Sequence, residues 1–284
     1  MKVFILGCNN TIGHVVALYF KEKGHEVMGY DQENLGLVRQ VTGNYHDVVL
    51  IQQTIEQYCP EAVINCIAVV NQDAEADKAE AAYVNCYLPH CLEKITAGTS
   101  IVVVHRSTDC IFSGERGQYT VNDVPDAKSF YARTKAVGEL INDKDITIRV
   151  SLIGPSLKED DGSLLNWFLR QQGQVNGFAN AIWTGVTTEE YAREIELLLT
   201  QGKHGIFQST PTLSISKYEL LKLFEKHFPH GREVLRIDNQ RVDKSLVQDF
   251  GDADIVVPSY DKMVADVRRW VQSHRELYPK YYND

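Results

Sequence analysis

The sequence predicts an α/β fold, a doubly wound parallel sheet with a smaller α/β region interleaved with it. Three observations carry that prediction. A glycine turn, Gly7 to Gly13, follows directly on the apolar run at residues 1–6. Short apolar runs alternate with amphipathic stretches up to about residue 150, as in chains of βα units. An acid, Asp31, ends the second apolar run, about 20 residues beyond the turn.

Taken in order, Met1 to Leu6 reads as a buried strand, and Val15, Val16, Leu18 and Tyr19 mark a helix that Gly24 stops. His25 to Tyr30 is the second strand, with Asp31 at its carboxyl end. Asp47 caps a helix that carries Val48, Ile51 and Ile55 on one face and closes at Pro60. Ala62 to Cys66 is expected as the third strand, Asp73 to Ala97 as one long helix, Ser100 to His105 as the fourth strand and Ile146 to Val150 as the fifth. Beyond Arg149 the pattern loosens into a stretch rich in Gly, Ser, Asn and Gln. Thr187 to Glu190 and Ser216 to Glu219 then open helices with capping boxes, through Leu199 and Phe228. A last helix, 259–274, places Met263, Val267, Trp270 and Val271 at helical spacing, and Gly205 to Ser209 is expected as a strand returning to the main sheet.

Composition excludes several classes. A chain of 284 residues with 44% apolar content can bury one large core or two unequal ones. No run is long enough to span a membrane, and the opening strand is not a signal peptide, so a cytoplasmic protein is expected. A net charge of −9 argues against a nucleic-acid partner. The six cysteines show no metal-ligand spacing, so no metal is expected and the thiols are read as reduced and mostly buried.

The turn and Asp31 point to a dinucleotide. Gly7 permits the tight turn and Gly13 close helix packing, and the amides of residues 10–13 at the helix N-terminus can hold a pyrophosphate without a basic side chain. Asn10, Thr11 and Ile12 complete that candidate site; asparagine tolerates the left-handed backbone the turn can require. Asp31 can accept from a ribose 2′-hydroxyl and repels a 2′-phosphate, which favours NAD(H), with NADP(H) also admitted because Arg39 could fold back.

Tyr131 and Lys135 lie four apart, downstream of an apolar run leading into Ser107, Thr108 and Asp109. A phenol titrates near pH 10, so acting as an acid near neutrality requires a shift of about 3 units, or about 4 kcal/mol. A lysine one helical turn away can supply the positive charge. The same spacing occurs at Tyr19 with Lys23 and at Tyr218 with Lys222, so spacing alone selects nothing.

The ordered set Asn65 to Ala68, Val84 with Asn85, Ser107 to Asp109 with Phe112 and Gly114, and Tyr131, Lys135, Gly138 and Glu139 resembles dTDP-4-dehydrorhamnose reductase, a family of extended short-chain dehydrogenases with a Rossmann-type fold. The resemblance is dense to about residue 154 and returns at Trp183 to Thr188 and at Arg241 with Ser245. It implies an NAD(P)-binding Rossmann domain over 1–150 and a mainly substrate-binding region over 151–284, with residues 187–209 returning to the first.

By that resemblance Tyr131 protonates the substrate oxygen, Thr108 orients it, and Lys135 binds the nicotinamide ribose and lowers the tyrosine's pKa. Asn85 positions the lysine side of the site or holds a water; Ile67 and Ala68 line the cofactor cleft. Asn44, with Tyr45, stands where an aspartate grips the adenine in relatives. Asn71, Asn166, Trp183 and Arg241 fall where relatives meet the sugar or nucleotide. The fingerprint's middle glycine is replaced by Asn10, and a sugar-facing aromatic by Leu152. Cys110 stands where dehydratases of the superfamily carry a glutamate. The implied activity is reduction of the 4-keto group of a dTDP- or UDP-linked 6-deoxyhexulose for polysaccharide synthesis, in a chain that could form a homodimer. The alternatives are a non-catalytic scaffold or regulatory subunit and a nucleotide-sugar epimerase.

Overall fold

The structure, a computed structural model, describes residues 1–158, 162–238 and 241–282. Its centre is a sheet of seven strands: β1 (Lys2–Leu6), β2 (Glu26–Asp31), β3 (Arg39–Thr42), β4 (Ala62–Asn65), β5 (Val102–Ser107), β6 (Ile146–Arg149) and, much later in the chain, β11 (Gly205–Gln208). The order is β11-β6-β5-β4-β1-β2-β3, and every neighbouring pair is parallel. The expected return of residues 205–209 to the main sheet is met by the pairing of β11 with β6. The order reverses between β1 and β4, which opens a crevice at the carboxyl ends of those two strands, where α/β sheets bind ligands.

Each face of the sheet is covered because the strands are apolar on both sides. On one face α1 (Gly13–Glu22) and α8 (Thr188–Thr200) pack Val15, Val16, Tyr191, Ile195 and Leu198 against Val3, Ile5, Ile64, Val104 and Ile148. On the other, α2 (Val48–Tyr58) contributes Ile51 and Ile55, which meet Phe4, Leu6 and Val103. Asp47 caps α2 through its carboxylate, which accepts from the Leu50 amide.

The single helix expected over 73–97 is four pieces: α3 (Asn71–Ala76), α4 (Lys78–Ala82), a π-helical turn at Tyr83–Tyr87 and α5 (Leu88–Ile95). Asp77 ends the first and caps the second by accepting from the Glu80 amide. The π turn has a covalent cause: Pro89 has no N–H to offer the Asn85 carbonyl four residues earlier, and Leu88 bonds instead to Tyr83, five back. The freed Asn85 carbonyl faces Gly138, at the end of α6 (Phe130–Val137), where a Cβ would lie 1.9 Å from that oxygen.

The remaining elements are small. They are β7 (Leu152–Ile153), α7 (Leu164–Leu169), β8 (Gln174–Phe178), β9 (Ala181–Trp183), β10 (Val186–Thr187), β12 (Ile215–Ser216), α9 (Lys217–His227), β13 (Glu233–Ile237), β14 (Val242–Asp243) and α10 (Tyr260–Ser273). They form the sheets β10-β7, β12-β9-β14 and β13-β8. The capping box predicted at Ser216 and Glu219 is present, and Thr187 caps α8 by accepting from the Glu190 amide. Among the described residues no helix is long and apolar enough to cross a membrane.

Candidate active site

The glycine turn leaves β1 at the crevice. Gly7 takes φ +78°, a left-handed backbone suited to glycine, and a Cβ on Gly13 would lie 1.9 Å from the Gly7 carbonyl. The amides expected to be free for a pyrophosphate are engaged. The Asn10 side-chain oxygen accepts from the Ile12 amide at 3.0 Å and the Gly13 amide at 2.8 Å, and its nitrogen donates to the Cys66 carbonyl at 2.9 Å. Asparagine is a strong cap for a helix start, and at this position it satisfies the donors that a glycine would leave open. Thr11 and Ile12 sit half-buried beside it, and Ile67 packs its side chain over Gly7 and leads to the half-buried Ala68.

Asp31 is buried at the end of β2. Its carboxylate accepts from the Asn9 amide at 2.8 Å, the Gln32 amide at 2.8 Å and the Tyr45 hydroxyl at 2.6 Å. A ribose diol would therefore share an acceptor already orienting the turn. Asn44 is exposed, and its side-chain oxygen accepts from the His46 amide, the geometry of a plain turn.

Thr108 follows β5 directly. Its hydroxyl donates to Asp109 Oδ1 at 3.2 Å and accepts from the Cys110 amide at 3.2 Å. Tyr131 lies buried at the start of α6, which Ser129 caps, and the Thr108 side chain is a hydrogen-bonding influence on its phenol. Asn85 reaches the same place from the π turn. It accepts from the Val69 amide and donates to the Val69 carbonyl and to Thr134, beside Lys135. It thus fixes the helix that carries the lysine.

The electrostatics depart from the expected arrangement. Lys135 is 0% exposed, and its ammonium nitrogen bonds the Arg106 carbonyl at 2.6 Å and lies 3.1 Å from His105 Nε2. Burial holds its pKa well below the ordinary lysine value, which favours the neutral amine. The Tyr131 phenol is pushed up to about 12 by burial, and the positive charge that opposes this is Arg106, not Lys135. The Lys135 nitrogen is turned into β5 and desolvated. At the other two equal spacings the lysine lies over its own tyrosine ring, Lys23 at 5.4 Å and Lys222 at 5.4 Å from the centroid. Turning inward is what sets Lys135 apart.

Arg106 was not singled out from the sequence, where it reads as one polar residue in a strand. It is 8% exposed, Nε is without a partner, and among the described residues its guanidinium has neither an ion pair nor a hydrogen bond. Its register partner is Ile148, on the face that Val104, Val150 and Tyr191 fill. A buried arginine without a counter-ion among the described residues is costly. Behind it, Glu139 forms a bidentate pair with Arg149 at 2.8 Å on both arms and accepts from Ser107 at 2.6 Å, which locks α6 to β5 and β6.

The sugar-side candidates are dispersed. Asn71 is exposed at the start of α3 with φ +47°, close to the crevice in sequence. Asn166 is buried and bonded to Lys158 and Tyr281. Trp183 is buried, donating to Ser151 at 2.8 Å and packing on Tyr260. Arg241 is 70% exposed and pairs with Asp243 at 2.9 Å. The charges that reach the Thr108 end are instead Lys244 and Lys217, which oppose the upward push of burial on the Asp109 carboxyl. Neither was legible before β5, α9 and β14 were assembled.

The cysteines are free, but only Cys8 and Cys66 are buried, which corrects the expectation that most would be. Burial pushes both to about 12 and Cys110 to about 11, so Cys110 is an inert neighbour of Thr108. A groove of about 610 Å³ between α1, α8 and α10, lined by Tyr19, Glu189, Arg193, Lys262 and Arg269, contains none of the predicted site residues.

Residues 1–195 match the family model described as RmlD substrate binding domain, and the chain belongs to that family. It is 31% identical over 163 residues to the probable low-salt glycan biosynthesis reductase Agl14 of Haloferax volcanii, covering 54% of each chain. It is 26% identical over 139 residues to methionine adenosyltransferase 2 subunit beta of Xenopus laevis, covering 49% of this chain and 41% of that one. The chain thus spans about half the length of the curated relatives it matches. The structure of dTDP-4-dehydrorhamnose reductase from Bacillus anthracis in complex with NADP shares the fold, with a TM-score of 0.80 at 19% identity, covering 96% of this chain and 100% of that one.

Proposed function

We propose that this member of the RmlD substrate binding domain family reduces the 4-keto group of a nucleotide-diphosphate-linked 6-deoxyhexulose, dTDP- or UDP-bound, with NAD(H) favoured over NADP(H). The observation that carries the reading is the meeting of Tyr131 with Thr108 at the carboxyl end of β5, beside the unpaired charge of Arg106. The turn fits a dinucleotide: close-approach glycines stand at the sheet's switch point with Asp31 at the end of the next strand. Gly7, the Thr11, Ile12 and Gly13 amides and Asp31 would hold it, with Ile67 and Ala68 as the wall. When bound, the nicotinamide supplies the hydride.

The chain's own residues then manage one proton. Thr108 orients the ketone oxygen by a hydrogen bond, and Tyr131 donates its proton to that oxygen as negative charge develops there. Arg106 stabilises the resulting phenolate, since a nearby cation favours the charged form of the acid. Lys135, held by the Arg106 carbonyl, and Glu139, held by Arg149 and Ser107, keep α6 in register with β5. Asp31 favours a ribose hydroxyl over a phosphate because its carboxylate is an acceptor.

Coupled assays with dTDP- and UDP-linked 4-ketosugars test the proposal. Oxidation of reduced nicotinamide with one of them, lost in Tyr131→Phe while cofactor binding persists, is the expected result. Turnover of neither sugar by a protein that binds cofactor sinks it. A second reading, a regulatory subunit of the same fold, is favoured by the sealed Lys135 and the engaged turn amides, and by the relative that is an adenosyltransferase subunit. In that case Tyr131→Phe changes nothing measurable in a partner enzyme's activity.

A further inference from the structure

Asn10 does more than replace a glycine. Its side chain bridges the crevice where the dinucleotide would enter, with one end on the Ile12 and Gly13 amides after β1 and the other on the Cys66 carbonyl after β4. The Asn10 backbone is fixed separately, since its carbonyl accepts from the His14 amide at 3.1 Å and lies 2.8 Å from His14 Nδ1. The carboxamide can therefore leave by side-chain rotation alone. Room for the bridging position itself comes from Gly7, where a Cβ would lie 2.5 Å from the Asn10 side-chain nitrogen.

We propose that the Asn10 carboxamide is a latch that occupies the pyrophosphate's amides in the empty protein and must rotate out before a dinucleotide binds. The inference rests on the cofactor reading above. A diphosphate can displace the latch because its charged oxygens accept stronger hydrogen bonds than a neutral amide oxygen, and the helix N-terminus favours the negative charge. The consequence is a lowered affinity for the dinucleotide and a helix start that stays ordered without it.

Three substitutions at one position separate the possibilities, read by titrating NADH and ADP-ribose against fluorescence and calorimetry, without turnover. Asn10→Ala and Asn10→Gly remove the latch, and both are expected to bind about tenfold more tightly, the order of one or two net hydrogen bonds. Asn10→Asp keeps the cap and adds a like charge, and is expected to bind at least about tenfold more weakly. In the ligand-free protein, amide hydrogen exchange at Ile12 and Gly13 should quicken in the alanine variant, and its Tm should fall. If wild type binds NADH while Asn10→Ala and Asn10→Gly bind equally or less well, or Asn10→Asp binds as well as wild type, the latch is refuted and the cofactor reading stands. If none of the four binds either ligand, the cofactor reading fails and the latch falls with it.

Discussion

Replacing Arg106 by methionine should make the protein more stable and a poorer acid catalyst at once. The side chain is 8% exposed, Nε has no partner, and its strand neighbours on that face are Val104 and Ile148. An unmatched buried donor costs about 1–3 kcal/mol, and exchanging buried charge for apolar volume commonly stabilises by about 1–4 kcal/mol. Methionine follows the arginine stem and adapts to the space left by the head. We therefore expect a gain of about 2 kcal/mol, and a rise in Tm of roughly 4 °C for a chain of this size.

The catalytic effect has the opposite sign. Burial pushes Tyr131 to about 12, and Arg106 is the leading charge that restrains it. Without the guanidinium the phenol should move higher, and one unit, about 1.4 kcal/mol, would weaken the acid about tenfold. The assay is a paired one: thermal melts, and turnover of each protein on the accepted ketosugar below about pH 9, where the fold is intact. Turnover on the accepted ketosugar should fall about tenfold, and Arg106→Lys should keep much of it. A methionine variant that melts lower than wild type, or that turns over the ketosugar as fast as wild type, would refute the reasoning.

Three other perturbations follow from the same geometry. Glu139→Gln leaves Arg149 buried against a neutral partner, so stability should fall by about 3–5 kcal/mol, read as a Tm loss of roughly 6–10 °C. Gly138→Ala sets a Cβ 1.9 Å from the Asn85 carbonyl, which is backbone, so α6 must shift; the urea midpoint should drop by the equivalent of about 1–3 kcal/mol and Tyr131 should lose its register with Thr108. High pH should unfold the protein: burial raises Cys8 and Cys66 from 9.0 to about 12 and Tyr30, Tyr58 and Tyr131 from 10.0 to about 12. Raised folded values mean that this stability is complete below about pH 9 and is lost as pH climbs toward 12, so Tm should decline steadily across that window; a flat Tm to pH 11 contradicts it.

Most of the sheet was readable because five of its strands are continuous apolar runs buried on both faces, and β11 announced itself by the same signal. The strand that was missed, β3, is a half-exposed edge of four residues, Arg39–Thr42, whose polar content hides the pattern. The broken helix at 71–95 was legible in principle, since Asp77 is a capping residue and Pro89 cannot donate to Asn85. An alanine-rich stretch masked both. The site was legible in membership and not in electrostatics. Four-residue spacing puts Tyr131 and Lys135 on one helix face, but the direction a lysine takes depends on the strand behind it, and here the Arg106 carbonyl offers the nearest acceptor.

In the proposed mechanism that one contact reorders the roles along β5. Turning Lys135 inward spends its proton-donating capacity on a strand carbonyl and on contact with His105, and burial then favours the neutral amine. In the proposed mechanism the phenol acid requires a cation, and the residue whose backbone holds the lysine would supply one from its own side chain, on the opposite face of the same strand. On that reading an arginine among Val104, Ile148 and Val150 with no counter-ion among the described residues has a use: a carboxylate beside it would stabilise the fold and cancel the field at Tyr131. The same trade is visible at the turn, where Asn10 satisfies the helix start that an incoming diphosphate would otherwise satisfy. The two places are opposite in sign: Asn10 suits the fold and opposes the proposed binding, whereas Arg106 burdens the fold and serves the proposed chemistry, so single substitutions at either residue are expected to move stability and function in opposite directions.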